Sequence, residues 1–379
     1  MGHRKRKELF YNMLLMALIV IIMLIFIEVV IRIFFPQNLN YTGFDETLMY
    51  SHIANFETRH FRQEFSQNIK FNSKGLRDYE YSYEKPDNPY RILLLGASFS
   101  EALQVDLNET YENVIEKKLN ERLNGRYEII NAAVGGYSTA QKYLFLRTEG
   151  LKYHPDMILL EVSIRSILDD SISPLISLKN GKLIENIPVR ASLPKKAMLF
   201  CSRYLQLCSW VQKTVLDESK KNIIFTSFLG KLGLSSRGSS IKKNPYSIDM
   251  FYKKDGAELN KTMEKTFLLI KEIKEISENN NMELVILVIP DKEQVDKGKY
   301  REMVKKYDLD EYDLEADKMQ KLFSEFAKEN NLTSLNVLPH FKKRNINNTF
   351  YFDIDGHLNR QGHKLASELL YDFIKGRLK

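Results

Sequence analysis

Two short segments near opposite ends of the chain carry residue types that together suit acyl transfer. Gly96-Ala97-Ser98-Phe99-Ser100 ends a continuous apolar run that begins at Arg91, and Asp353-Ile-Asp355-Gly-His357-Leu-Asn359 precedes the last amphipathic stretch. A serine hydroxyl is a poor nucleophile at neutral pH and needs a base within reach, normally a histidine steered by a carboxylate. Ser98 is the candidate nucleophile and His357 its candidate base. Asp355, two residues earlier, is the candidate that holds the imidazole, with Asp353 as the alternative for that role. A serine placed directly after a buried strand sits on a turn in front of a helix, whose N–H groups and positive dipole end favour an oxyanion formed there.

Such residues need a scaffold that brings chain ends together. Arg91 to Gly96, Tyr127 to Val134, Met157 to Ile164 and Met282 to Ile289 are short continuous apolar runs, the pattern of strands buried on both faces, with a weaker run over Leu332 to Leu338. Between them, Tyr111 to Leu123, Ala140 to Leu151, Leu259 to Ile276 and Leu314 to Glu329 repeat apolar residues at helical spacing. The alternation predicts an α/β class: a central parallel sheet with right-handed crossovers and helices on both faces. Ligands of such sheets bind beyond the carboxyl ends of the strands, where Ser98 stands. Residues 171–256 interrupt the alternation and read as an insertion with a helix over Met198 to Leu216 and a Gly/Ser/Lys-rich loop, Gly230 to Lys243. The lone tryptophan, Trp210, is expected to pack within that helix. Glu161, an acid inside a buried run, is expected to be paired.

Ahead of the domain, Leu9 to Ile27 is apolar apart from Asn12, and the stretch continues through Glu28 and Arg32 to Phe35. About 20 such residues span a bilayer as a helix. Arg4, Lys5, Arg6 and Lys7 place the amino terminus on the cytoplasmic side, and no small-residue cleavage site precedes Pro36. The expected layout is a cytoplasmic basic arm (1–8), a transmembrane anchor (9–35), an extended stalk packed on the domain (36–90) and one extracytoplasmic α/β domain (91–379). The net charge of +7 owes much to the basic arm, and no interleaved basic and aromatic stripe follows, so nucleic acid is not an expected partner. Cys201 and Cys208 are seven apart in the expected helix. A straight helix holds their α-carbons about 10 Å apart, beyond disulfide reach, so both read as packing residues. Asp353, Asp355, His357 and His363 share the donor types of a metal cluster, but His363 falls within the final helix and no second group completes a shell, so neither metal nor cofactor is expected.

Several blocks in order resemble the SGNH, or GDSL-type, hydrolases: Asn72-Ser-Lys-Gly-Leu-Arg77, Arg91 to Val105, Asn131-Ala-Ala-Val-Gly-Gly136-Tyr-Ser-Thr-Ala-Gln141, Pro155-Asp-Met-Ile-Leu-Leu160 and Asp355-Gly-His357-Leu-Asn-Arg-Gln-Gly362-His. The resemblance covers about residues 70–379. It implies a flavodoxin-like three-layer α/β/α sandwich and ester chemistry through a serine acyl-enzyme, with Ser98, His357 and Asp355 as the triad. It also implies an oxyanion hole made by the N–H groups of Ser98 and Gly136. Where the family's first block reads Gly-Asp-Ser, this chain has Gly96-Ala97-Ser98. Where the third block reads Gly-Asn-Asp, with the asparagine amide as a further oxyanion donor, this chain has Arg165-Ser166-Ile167. Ser166 takes the asparagine's position as candidate donor, and Arg165 is a candidate substrate contact.

These readings converge on a membrane-anchored serine esterase or O-acyltransferase for an acylated glycan or envelope polymer, with a membrane acyl-transfer protein as an expected partner in the transfer case. The altered third block motivates the alternative, a catalytically silent module that binds glycan or scaffolds envelope polysaccharide assembly.

Overall fold

The computed structural model describes residues 3–123, 125–186, 191–221, 250–254, 256–346 and 349–378. The Gly230 to Lys243 loop lies outside the described residues. Two compact units divide the chain, Met1–Thr42 with Ala191–Ser240, and Gly43–Arg190 with Ile241–Lys379. The expected insertion is therefore split: its first part stays with the α/β unit, and the segment from Ala191 groups with the apolar amino-terminal helix.

In the first unit, α1 (His3–Phe34) is long and apolar enough to cross a membrane, and Leu9 to Phe26 stand exposed along it. Two further helices, α6 (Leu193–Tyr204) and α7 (Gln206–Lys221), replace the single helix expected over Met198 to Leu216. The break at Leu205 has a physical cause far away in sequence. The Glu28 carboxylate accepts from Gln206 N at 3.0 Å and Leu207 N at 2.8 Å, capping the start of α7, while Arg32 Nη2 donates to Tyr204 O at 2.8 Å at the end of α6. Reversing the chain there brings the Cys201 and Cys208 α-carbons to 5.7 Å, and the two form a disulfide. The reading of both as packing residues assumed a straight helix and is corrected by the turn.

In the second unit, five parallel strands make the sheet: β5 (Tyr90–Leu95), β6 (Tyr127–Asn131), β7 (Met157–Val162), β10 (Glu283–Val288) and β11 (Thr333–Asn336), in the order β11-β10-β7-β5-β6. Alternate residues of each strand serve two cores, which is why the runs read as continuously apolar. Ile92 and Leu94 of β5 pack with Tyr111, Ile115 and Leu119 of α3 (Tyr111–Arg122) and with Leu370 and Ile374 of the closing helix Arg360–Lys375. Leu93 and Leu95 pack on the other face with Ala140 and Leu144 of α4 (Thr139–Thr148) and Leu269, Ile270 and Ile273 of the helix Ala257–Asn279. The result is a three-layer α/β/α sandwich, each fully buried aliphatic side chain stabilising it by about 1.5–3 kcal/mol. The chain leaves β5 toward β6 and leaves β7 toward β10, so β5 and β7 flank the switch point where a crevice opens at their carboxyl ends.

Residues 36–90 are not the extended stalk expected. They form two hairpins, β1 (Thr42–Asp45) with β2 (Met49–His52) and β3 (Glu57–Phe61) with β4 (Ser66–Lys70). Ile69, Phe71, Leu76 and Arg77 are buried. A further hairpin, β8 (Ile176–Lys179) with β9 (Lys182–Glu185), follows α5 (Ile164–Ile172).

Candidate active site

The turn after β5 is shaped from the neighbouring strand. Glu161 of β7 is buried, and its Oε2 accepts from Ala97 N at 2.9 Å and from Ser100 Oγ at 2.5 Å. The acid expected to be paired thus holds the turn that presents Ser98. Gly96 admits no side chain, since a Cβ there would lie 2.5 Å from Ser100 Cβ and 2.8 Å from Glu161 Oε2. Ser98 opens the short helix α2 (Ser98–Glu101), and a buried guanidinium satisfies carbonyls at and just beyond its end: Arg77 donates to Glu101 O at 2.7 Å, Ala102 O at 2.8 Å and Val105 O at 2.6 Å. Arg77 closes the Asn72 to Arg77 block, so that block secures the helix of the candidate nucleophile. On the far side of α2, Glu101 carboxylate meets His52 Nε2 at 2.6 Å.

Asn131 Nδ2 donates to Ser100 O at 2.8 Å and to Glu112 Oε1 at 2.7 Å, tying α2 to α3. Burial pushes the Glu112 carboxyl up to about 7, against hydrogen bonds from Thr110 and Asn131 and the nearby charge of Arg77. The folded chain therefore holds this proton more tightly than the unfolded chain. Stability from it is full below about 4.5 and declines as pH rises through about 7. Glu112→Gln keeps the acceptor for Asn131 without the charge. It is expected to remove that decline and to add about 2 kcal/mol at pH 8 relative to pH 5. Unfolding midpoints of both proteins at the two pH values check this, and parallel pH dependence would contradict it.

His357 bridges the other two members of the proposed triad. Its Nε2 lies 2.8 Å from Ser98 Oγ and its Nδ1 lies 2.6 Å from Asp355 Oδ1. Burial alone would raise the Asp355 carboxyl, but the hydrogen bond and charge of His357, with Arg62, hold it below the ordinary aspartate value. Asp353 is committed elsewhere, 2.7 Å from Lys292 Nζ and 3.4 Å from Lys299 Nζ. The loop is fixed by a residue the sequence did not single out: the Glu64 carboxylate, from the β3–β4 turn, accepts from Asp353 N, Ile354 N and Asp355 N at 2.6, 2.9 and 2.8 Å. Gly356 sits at φ +80°, in the left-handed region that suits glycine, and lets the histidine follow its aspartate by two residues. Asn359 caps the closing helix, accepting from Gln361 N and Gly362 N. His363 points into the core, stacked on Tyr111 at 5.8 Å and facing Tyr111 N at 3.3 Å. Burial first, then Arg77 and His357, pull its pKa down to about 3. Asp355 and His357 thus face each other, while Asp353 and His363 point away from them at other partners.

Gly136 stands at φ +77°, and a Cβ there would come 2.8 Å from the Tyr50 hydroxyl. That hydroxyl, carried by β2, donates to Gly135 O at 3.0 Å and braces the glycine turn. Among the described residues the N–H groups of Ser98 and Gly136 are given to no protein acceptor. The third block behaves differently. α5 begins at Ile164, so Ser166 falls in its first turn and its hydroxyl turns back into a capping box, donating to Ser163 O at 3.0 Å and accepting from Ser163 N at 2.9 Å. Arg165 instead projects to the mouth, partly exposed. Its Nη2 would stand 3.4 Å from a Cβ on Gly356, and its Nε lies 3.6 Å from Asp291 Oδ1. Burial raises Asp291 to about 6 despite the Arg165 charge.

No protein-family model matches the chain, and no curated protein matches it. Among solved structures it is similar to TesA, at 11% identity over 76% of this chain and 99% of that one with a TM-score of 0.40. It is also similar to a lipase/acylhydrolase from Enterococcus faecalis, at 14% identity over 76% and 97% with a TM-score of 0.40. An acetyl xylan esterase, AlAXEase, is a third, at 13% identity over 75% and 99% with a TM-score of 0.40.

Proposed function

We propose that the chain is an SGNH-type serine esterase or O-acyltransferase acting on an acylated glycan or envelope polymer outside the cytoplasm. The observation that carries this is the continuous Ser98–His357–Asp355 chain of hydrogen bonds at the sheet's switch point. In the reaction, Ser98 Oγ attacks the acyl carbonyl carbon and passes its proton to His357 Nε2. Asp355, kept ionised, steadies the imidazolium, and the N–H groups of Ser98 and Gly136 with the Arg165 guanidinium receive the oxyanion. Collapse breaks the ester C–O bond, and His357 returns the proton to the departing alcohol. Water or a sugar hydroxyl, deprotonated by His357, then attacks the acyl carbon, the bond from that carbon to Ser98 Oγ breaks, and His357 returns the proton to Ser98 Oγ. Transfer rather than hydrolysis would call on a membrane acyl-delivering partner.

Placement outside the cytoplasm is supported by the Cys201–Cys208 disulfide, a bond favoured in oxidising compartments, and by the cations Arg4 to Lys7 ahead of the span. The second reading, a silent glycan-binding or scaffolding module, is favoured by one observation, the engagement of the Ser166 hydroxyl within its own helix cap. Acetate release from an O-acetylated polysaccharide by the full-length protein decides between them. Turnover lost in Ser98→Ala is expected. Polymer binding without release, equal in wild type and variant, would support the silent module. Protease added outside intact cells is expected to digest the α/β unit, and protection there would overturn the location.

A further inference from the structure

We propose that the α6–α7 hairpin lies in the interfacial layer of the membrane, one apolar stripe of α6 facing lipid, an inference that rests on reading α1 as a spanning helix. Leu193, Ala197, Phe200 and Tyr204 recur at helical spacing on α6, and all four are exposed: Leu193 by 82%, Phe200 by 62% and Tyr204 by 51%. The opposite side is turned inward, with Ser202 buried and Ser209 Oγ of α7 donating to Ser202 O at 2.8 Å. An amphipathic helix that exposes its apolar side has that side against something other than water.

The hairpin's height relative to α1 selects the occupant. Leu9 to Ile27 rise about 28 Å as a helix, close to the hydrocarbon thickness, which puts Glu28 and Arg32 at the far boundary. Those two residues hold Gln206, Leu207 and Tyr204, and Asn40 N donates to Ser202 O at 3.0 Å, so the hairpin is tied at the level where α1 leaves the apolar layer. Its composition suits that level. Phe200, Tyr204 and Trp210 are exposed aromatics, accompanied by Lys195, Lys196, Arg203 and Lys213, the pairing of amphipathic rings and cations found at bilayer interfaces. Lipid of the leaflet from which α1 emerges is therefore the occupant, and the disulfide locks the hairpin as a foot beside the anchor.

The chain has a single tryptophan, so Trp210→Phe combined with Phe200→Trp moves the sole fluorophore onto the stripe. The full-length variant is reconstituted in phosphatidylcholine vesicles brominated at shallow or deep acyl positions. The expected result is a blue-shifted emission that loses more than about half its intensity to shallow bromines, loses less to deep ones, and resists aqueous acrylamide. Water-like emission untouched by either bromine, in protein that still floats with the vesicles, would overturn the foot and leave the anchor standing. Shielding that disappears on diluting the protein in lipid would assign the stripe to a second copy and overturn the proposal. Failure to float, or release by alkali, would remove the anchor and the foot together. Leu193→Glu added to the variant is expected to reduce the bromine quenching while flotation is retained.

Discussion

Ser98→Ala, His357→Ala and the double replacement are expected to lower kcat/KM on an activated acetyl ester by nearly the same factor, about 10⁴–10⁶. The reason is geometric. His357 Nε2 is 2.8 Å from the Ser98 hydroxyl, so the imidazole has one proton to take and the hydroxyl one base to give it to. Removing either partner leaves nothing for the other to do, and the losses do not multiply. Asp355→Asn is expected to cost about 10⁴, because an amide at 2.6 Å from Nδ1 stabilises the wrong tautomer. Steady-state kinetics on variants with matched melting curves check this. A double variant slower than either single one by a further factor of thousands would show that the two residues act independently.

Arg165→Ala is expected to reduce kcat by about 10²–10³ with little change in KM, whereas Ser166→Ala leaves kcat near wild type and costs about 1 kcal/mol of stability. The Ser166 hydroxyl is spent on Ser163, which removes it from the role the family's asparagine would fill. In the proposed reaction Arg165, beside the Asp355-Gly-His357 loop, takes the part of the charged donor, and a donor that meets the oxyanion only as it forms affects kcat first. Arg165→Ala also leaves the buried Asp291 without the cation that lowers its pKa. Asp291→Asn separates the effects: with the guanidinium still present, kcat should stay within about tenfold of wild type. A hundredfold loss in Ser166→Ala, or none in Arg165→Ala, would reverse the assignment.

The candidate triad was legible because Ser98 and His357 stand where chain pattern is strongest, Ser98 after a strand buried on both faces and His357 on a polar loop before an amphipathic helix. The sheet was legible for the same reason: β5, β7 and β10 are apolar apart from Arg91, Glu161 and Glu283. The supports of the site were not. β3 reads Glu-Thr-Arg-His-Phe and β4 reads Ser-Gln-Asn-Ile-Lys, polar strands that bury one residue each, so nothing local marks them or the Glu64 turn between them. Tyr50, Glu64 and Arg77 gain their roles only from partners 85, 291 and 28 residues away, respectively. Ser166 matches by its position in the block, but that position is also the third residue of α5, where the capping box with Ser163 engages its hydroxyl. The break at Leu205 carries no Gly or Pro, and the capping carboxylate is Glu28, which made the Cys201–Cys208 pairing invisible to spacing alone.

The central claim is that Ser98 is an activated nucleophile, and covalent capture tests it most directly. The full-length protein is treated with a fluorophosphonate at pH 7.5 and its peptides are weighed. A single phosphonyl adduct on Ser98 is predicted, absent in Ser98→Ala and strongly slowed in His357→Ala. No adduct on Ser98, under conditions in which a known serine esterase labels fully, would contradict the account.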